Sequence, residues 1–466
     1  MAPVSSRVER RAVPVRGPTS PMMLIYSFFA FAAIGAALLS LPISSTKSEF
    51  TSPIGTFFTS VSAMTGTGLI IVDTAEAWTA FGQSVLAVLI FVGGLGFMTG
   101  AAFLLLIIGR RSSLQGRLVI GAGLSDNRLG TIASLARNIV LMAIVVQIIG
   151  AALIFIHWYL ITPLWSGMTF GEGLWQSVFT SISAFNNSGF EILPDELVGG
   201  GSLIGVSGDI PALLIIGVMI LIGSSSYVVL ANMVEIRGWR RLTLDTKLVL
   251  VGIGVMLLVG LVAFLALEWT NPNTIGAEGE TVQSKVTHGV FHTVNRTAGF
   301  STLDYGQLRS ADLAVTEGLM FVGGTSASTA GGIKVSTLMV VVIASISIFS
   351  GRDRTTVFGR EIPRVNVQRA FAVGATAALA VLVLVVALFV VQPELDFRTG
   401  VFEIFSAFGT VGWSAGATSH LNQAAQVVLS IAMFTGRFGP LTIALFMAGR
   451  ERQDPIRYAA ERIRIG

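Results

Sequence analysis

Stretches of 20 residues or more without Asp, Glu, Lys or Arg include 22–46, 77–109, 138–171, 210–234, 248–267, 370–393 and 410–436. An eighth, 318–351, is interrupted only by Lys334. A helix needs about 20 apolar residues to cross a bilayer, so each stretch is long enough to span. The last holds a loop and then the start of a helix that continues past Arg437 to Gly449. With 53% hydrophobic and 12% charged residues, the 466-residue chain is too apolar for one soluble core, and an all-α integral membrane protein with eight spans is expected. The first span is not expected to be a signal peptide, because its apolar core is too long and a basic arm precedes it. There is no cysteine, which excludes disulfides and thiolate metal sites.

Charge predicts the orientation. The arm 1–21, the links 110–137, 235–247 and 352–369, and the tail from Arg450 hold 23 Lys and Arg against 9 Asp and Glu. These segments are expected to face the cytoplasm, with both termini inside. The remaining connections hold 5 basic and 17 acidic residues. Topology accounts for the basic runs without nucleic-acid binding, for which no interleaved aromatics or recognisable module are present.

The basic links divide the spans into pairs, and an internal repeat emerges. The outward connections "SVSAMTGTGLIIVDT" (60–74), "SISAFNNSGFEILPD" (181–195), "FHTVNRTAGFSTLDY" (291–305) and "IFSAFGTVGWSAGAT" (404–418) align on Gly68, Gly189, Gly299 and Gly412. Each follows a short apolar segment, 53–64, 174–185, 286–295 or 400–408, which is too short to span and reads as a re-entrant helix. Non-helical backbone at that depth survives only under protein or along a watery cavity. The expected architecture is four parallel span–pore helix–span repeats around a central pore. The boundaries are arm 1–21, repeats 22–109, 110–236, 237–351 and 352–450, and tail 451–466. Glycine reaches φ > 0 without steric cost, so successive carbonyls can point one way and replace a cation's hydration shell. The expected filter comprises Thr67, Gly68, Ser188, Gly189, Ala298, Gly299, Val411 and Gly412.

The motifs "TGTGL", "NNSGF", "NRTAGFST" and "GTVGWS", in order and at this spacing, resemble the Trk/Ktr/HKT superfamily of potassium transporters, and eight spans without an extra N-terminal pair is similar to its KtrB-like branch. The resemblance covers nearly the whole chain. It implies potassium as the transported ion bound by the filter carbonyls, with sodium as an alternative. It also implies a homodimer with one pore per subunit in the bacterial inner membrane, and a cytosolic nucleotide-binding (RCK/KTN-type) regulatory ring. Two departures stand out: Gly66 adds a second glycine to the first filter, and bulky Trp413 follows Gly412 where smaller aliphatic residues are usual. Both point to looser selectivity. Gly68, where the sodium-transporting plant branch has serine, points to potassium.

The stretch "GGTSASTAGGIK" (323–334) cannot form a robust helix, since each glycine costs about 1 kcal/mol relative to alanine. A break is expected there. The resemblance implies an intramembrane gating loop built from Gly323, Gly324, Thr325, Ser326, Ser328, Thr329, Gly331, Gly332 and Lys334; the alternative is a packing face of small residues. Arg437, inside the last span, is expected to face the pore or a carboxylate, at a cost of at least about 2.5–3.5 kcal/mol. In the family an arginine here approaches the gate, while the alternative is snorkelling towards the cytoplasmic end.

Enzymatic readings are weak. "GWSAG" (412–416) matches a nucleophile elbow, yet only His420 and Asp454 follow Ser414, and a serine hydrolase is a remote alternative. His288 and His292 have zincin spacing with Gly289 where the general-base glutamate belongs, so they are expected to pack a pore helix. "GLGFMT" (94–99) and "GAGLSD" (121–126) lack the third glycine of a dinucleotide fingerprint, and Ile333 spoils a P-loop, so no cofactor is expected on this chain. A carrier with inverted repeats is disfavoured because the four repeats run parallel.

Overall fold

The computed structural model describes residues 21–109, 128–194, 201–236 and 238–448. Most of the N-terminal arm, much of the first basic link and the tail with Asp454 lie outside them. Helices dominate, and among the described residues the strands are a two-residue pairing of Thr356–Val357 with Arg360–Glu361.

Helices occupy every stretch where a span is expected. Among the described residues, four are long and apolar enough to cross a membrane: Ala80–Gly100, Ser134–Ile161, Leu244–Glu268 and Arg364–Val391. Their outward faces stay greasy: Leu258, Val262, Leu382 and Val386, spaced at one helical turn in each pair, are all exposed. Such a surface suits lipid, not water. Ile25–Leu39 and Val335–Phe349 are shorter apolar helices, and Gln423–Ala448 closes the described chain.

Two expected spans are broken. At 318–351 the break was anticipated: Ser310–Phe321 ends, irregular backbone follows, and Val335–Phe349 resumes. At 210–234 the structure corrects the expectation of one continuous helix. Ile210–Gly223 and Tyr227–Glu235 meet at 99°. Gly223 and three serines supply the break, and the Ser226 hydroxyl accepts from Val229 N to start the second piece.

Four short helices, Pro53–Thr65, Phe170–Phe185, Val282–Val294 and Phe397–Gly409, sit between the long ones. Three begin at a side-chain cap. Thr169 accepts from Glu172 N in a capping box, Thr281 from Ser284 N, and Asp396 from Thr399 N; the other starts with Pro53 at its first position. Their far ends are buried. Serines at matching repeat positions hold two of them to the preceding helix: Ser60 Oγ donates to Ala32 O (2.7 Å) and Ser181 Oγ to Gln147 O (2.6 Å).

Long and short helices meet through glycines unnoticed in the sequence. A β-carbon at Gly93 would lie 2.0 Å from Met64 O, at Gly223 1.8 Å from Phe185 O, and at Gly436 1.7 Å from Phe408 O. Met64, Phe185 and Phe408 each stand four residues before an aligned glycine, so this is one contact used three times. Gly323 takes the corresponding place in the third repeat, but it meets Gly331 O of its own loop (1.7 Å) instead.

Gly436→Ala is therefore expected to overpack the molecule and to cost about 1–3 kcal/mol. Gly254, which has open space around it, is expected to accept alanine with unchanged or higher stability. Thermal unfolding of both variants in detergent checks this contrast; equal midpoints would remove the close contact.

Candidate cation filter and the loop beneath it

Each short helix hands the chain to a sharply turned segment. In three repeats the turn is a Schellman ending, with one residue in the left-handed region: Gly66 (φ 62°), Asn187 (φ 54°) or Thr410 (φ 50°). Their N–H groups donate to Ala63, Ala184 and Ala407, and the next N–H groups, of Thr67, Ser188 and Val411, reach back to Ser62, Ser183 and Ser406. Gly66 is thus a helix terminator, matched by Asn187 and Thr410. The third repeat closes differently, with Ala298 N and Gly299 N both donating to Asn295 O.

The aligned glycines come next, all with positive φ: Gly68 88°, Gly189 74°, Gly299 73° and Gly412 105°. A β-carbon on Gly68 would lie 1.9 Å from Ser188 O, on Gly189 2.2 Å from Ala298 O, on Gly299 2.1 Å from Val411 O, and on Gly412 2.1 Å from Thr67 O. The series closes on itself. All eight residues singled out from the sequence therefore form one ring, in which each glycine abuts the carbonyl preceding the next glycine. The four glycines line a cavity of about 160 Å³, which Glu191 and Asp304 also line. Carboxylates at such a mouth raise the local cation concentration, and short helices ending at the ring direct their negative ends towards it.

Buried polar groups tie the descending segments to the short helices. Gln176 Nε2 donates to Ile192 O (2.7 Å), and the ring nitrogens of His288 and His292 bond Thr302 Oγ1 and Tyr305 Oη, both at 2.9 Å. In the fourth repeat the Glu403 carboxylate accepts from Ser414 Oγ (2.6 Å), Ala415 N (3.1 Å), Ala417 N (3.3 Å) and Thr418 Oγ1. Ser414 thus holds a loop. Trp413 makes contacts beyond its own segment. Its indole N–H donates to Phe300 O (2.7 Å), and its ring stacks on His292 (4.9 Å) and Tyr305 (4.5 Å). The side chain thereby ties the fourth segment to the third, and it lines the same cavity as the four glycines.

Beneath the ring lies the loop 323–334, nearly all of it buried. Thr325 N donates to Ser224 O (3.0 Å) and Thr329 N to Gly223 O (3.1 Å), at the break in the second repeat. Gly332 N donates to Gly436 O (3.2 Å) in the fourth. Arg437, 1% exposed, donates from Nη1 to Thr329 O and stacks on Phe97 at 4.5 Å. Snorkelling is overturned, and the partner is a carbonyl instead of a carboxylate. Lys334 Nζ donates to Ala330 O (2.6 Å) and approaches the same Phe97 ring at 5.6 Å. Ser328 Oγ donates to Thr325 O (2.8 Å) within the loop, and Gly323 N and Gly324 O bond Ile333 O and Val335 N across its neck.

The TrkH family, described as cation transport protein, matches residues 3–456. The chain belongs to this family. It is 36% identical over 441 residues to the Ktr system potassium uptake protein B of Bacillus subtilis (strain 168), covering 94% of this chain and 95% of the relative. Identity to the potassium/sodium uptake protein NtpJ of Enterococcus hirae is 31%, over 97% and 98% of the two chains. The crystal structure of the potassium transporter TrkH from Vibrio parahaemolyticus shares the fold, with a TM-score of 0.68 at 19% identity over 95% of this chain and 86% of that one.

Sequence reasoning missed Arg296, counted there as an outer-loop charge. Its guanidinium is buried and donates to Val322 O, to Leu319 O (3.4 Å) and to Gly323 O (3.4 Å), capping the broken end of Ser310–Phe321. A cue was present, because Arg296 sits within the aligned motif where the other repeats carry Thr65, Asn186 and Gly409.

Gly68→Ser introduces a β-carbon into the Ser188 carbonyl. The substitution is expected to lower the rubidium-over-sodium flux ratio in proteoliposomes, and a tenfold change corresponds to about 1.4 kcal/mol. An unchanged ratio would take Gly68 out of the filter.

Proposed function

We propose that this protein is the ion-translocating membrane subunit of a Trk/Ktr-type potassium uptake system. The observation that carries the reading is the closed ring of Thr67, Gly68, Ser188, Gly189, Ala298, Gly299, Val411 and Gly412, in which four repeats offer backbone carbonyls around one axis. Carbonyl oxygens replace water around a cation without binding it too tightly to leave. Potassium is cargo here, and no cofactor or enzymatic step is assigned to this chain.

The four short helices act as pore helices within eight spans, divided at 22–109, 110–236, 237–351 and 352–450, in a multi-pass protein of the bacterial inner membrane with both termini in the cytoplasm. The names of the relatives, potassium uptake and potassium/sodium uptake, support the cargo; the second name favours sodium permeation as the alternative reading. A homodimer and a cytosolic nucleotide-binding ring are what the family resemblance implies.

The loop Gly323–Lys334, with Arg437, is the gate. It occupies the space under the filter, and its backbone is bonded to the second and fourth repeats instead of to a regular helix of its own. Bistable irregular segments of this kind serve as switches.

Expression in a potassium-uptake-deficient bacterium is expected to restore growth at low potassium, and failure with protein in the membrane would refute the cargo. Deleting 325–330 is expected to raise basal rubidium flux by removing the obstruction. Equal flux from wild type and deletion, at equal abundance, would reduce the loop to packing.

A further inference from the structure

The gating loop is bonded to three of the four filter segments. Gly331 N donates to Thr410 Oγ1 (3.0 Å) in the fourth, and Thr329 Oγ1 lies 3.3 Å from both Phe185 O and Asn187 Oδ1 in the second. Arg296 of the third holds the carbonyls of Val322 and Gly323 where the loop begins. Thr410 is unusual among these. It is β-branched yet sits at φ 50°, a conformation that such residues rarely adopt and that persists only where the surroundings enforce it. Its counterparts at the same turn, Gly66 and Asn187, are residues that tolerate this conformation.

Besides the hydrogen bonds of its own turn, Thr410 has the loop packed against it. A β-carbon on Gly331 would fall 2.3 Å from Thr410 Oγ1 and 2.7 Å from Cγ2, so the loop backbone lies directly against the threonine side chain. Thr410 immediately precedes Val411, whose carbonyl belongs to the filter ring.

We infer that Thr410 is a positioning residue that couples the gate to the filter, so that the loop's release changes ion selectivity as well as conduction. This rests on reading 323–334 as the gate. With the loop seated, its N–H fixes the threonine hydroxyl and the strained turn points Val411 O into the ring. With the loop withdrawn, the turn is free to relax and the fourth carbonyl loses its alignment.

The test is rubidium and sodium flux through the full chain in proteoliposomes. Thr410→Val keeps shape and branching but cannot accept the Gly331 hydrogen bond. It is expected to raise basal rubidium flux about fivefold, the equivalent of one hydrogen bond of about 1 kcal/mol, and to lower the rubidium-over-sodium ratio. Thr410→Ser, which keeps the acceptor, is expected to restore both towards wild type. Gly331→Ala drives a methyl group into Thr410 and is expected to reproduce the valine phenotype, with Thr410→Gly in the same chain relieving the clash. Wild-type flux and ratio in Thr410→Val would overturn the coupling. So would a 325–330 deletion that conducts strongly with an unaltered ratio, a result that leaves the gate itself standing; a deletion with unaltered flux would instead remove the gate.

Discussion

Everything near the centre of this molecule follows from one contact, the approach of each filter glycine to the carbonyl of its neighbour. Built β-carbons at the four positions fall 1.9–2.2 Å from those oxygens, closer than any side chain tolerates. Four separate segments must therefore arrive at one axis with bare backbone, each at positive φ. Bare backbone in a membrane has to be covered on its other side, which is what the short helices and their polar struts provide.

The repeats meet this requirement with unlike chemistry. Gln176, the pair His288 and His292, and Glu403 occupy the same structural duty, holding a descending segment against its helix. Backbone geometry is repeated where the ring demands it, and side chains are free to differ where any buried donor–acceptor pair serves. Trp413 extends the logic between repeats. Its bond to Phe300 O places an aromatic wedge across the third and fourth segments. Size alone does not say towards which side of a segment a ring points, so this bond was not legible in the sequence.

What was legible in the chain was periodic or local. Spacing revealed the four glycines, charge-free length the helices, and composition the break at 323–334. The break at 223–226 was also local, a glycine followed by three serines, and was overlooked inside an apolar run. Thr410 and the glycines that receive Met64, Phe185 and Phe408 were illegible for a different reason: their partners lie in other repeats or on other helices, and nothing in the sequence announces a carbonyl waiting there.

The two buried cations below the ring close the mechanical picture. Neither Lys334 nor Arg437 belongs to an ion pair among the described residues, which form His157–Asp209 and Arg354–Glu361. They rest instead on the carbonyls of Ala330 and Thr329 and against Phe97, groups with partial negative charge only. In the proposed reading, those loop carbonyls are the same kind of ligand that the ring above offers to a passing ion. Occupied by fixed cations, they have nothing left for potassium, and a mobile charge 4 Å from either would meet about 4 kcal/mol of repulsion at an effective dielectric of 20. In the proposed reading the seated loop therefore blocks twice, by filling space and by carrying positive charge to the base of the filter. Moving the loop without Arg437 would leave an arginine in the path with its carbonyl partner gone, so conduction requires the loop and the end of the last helix to rearrange together.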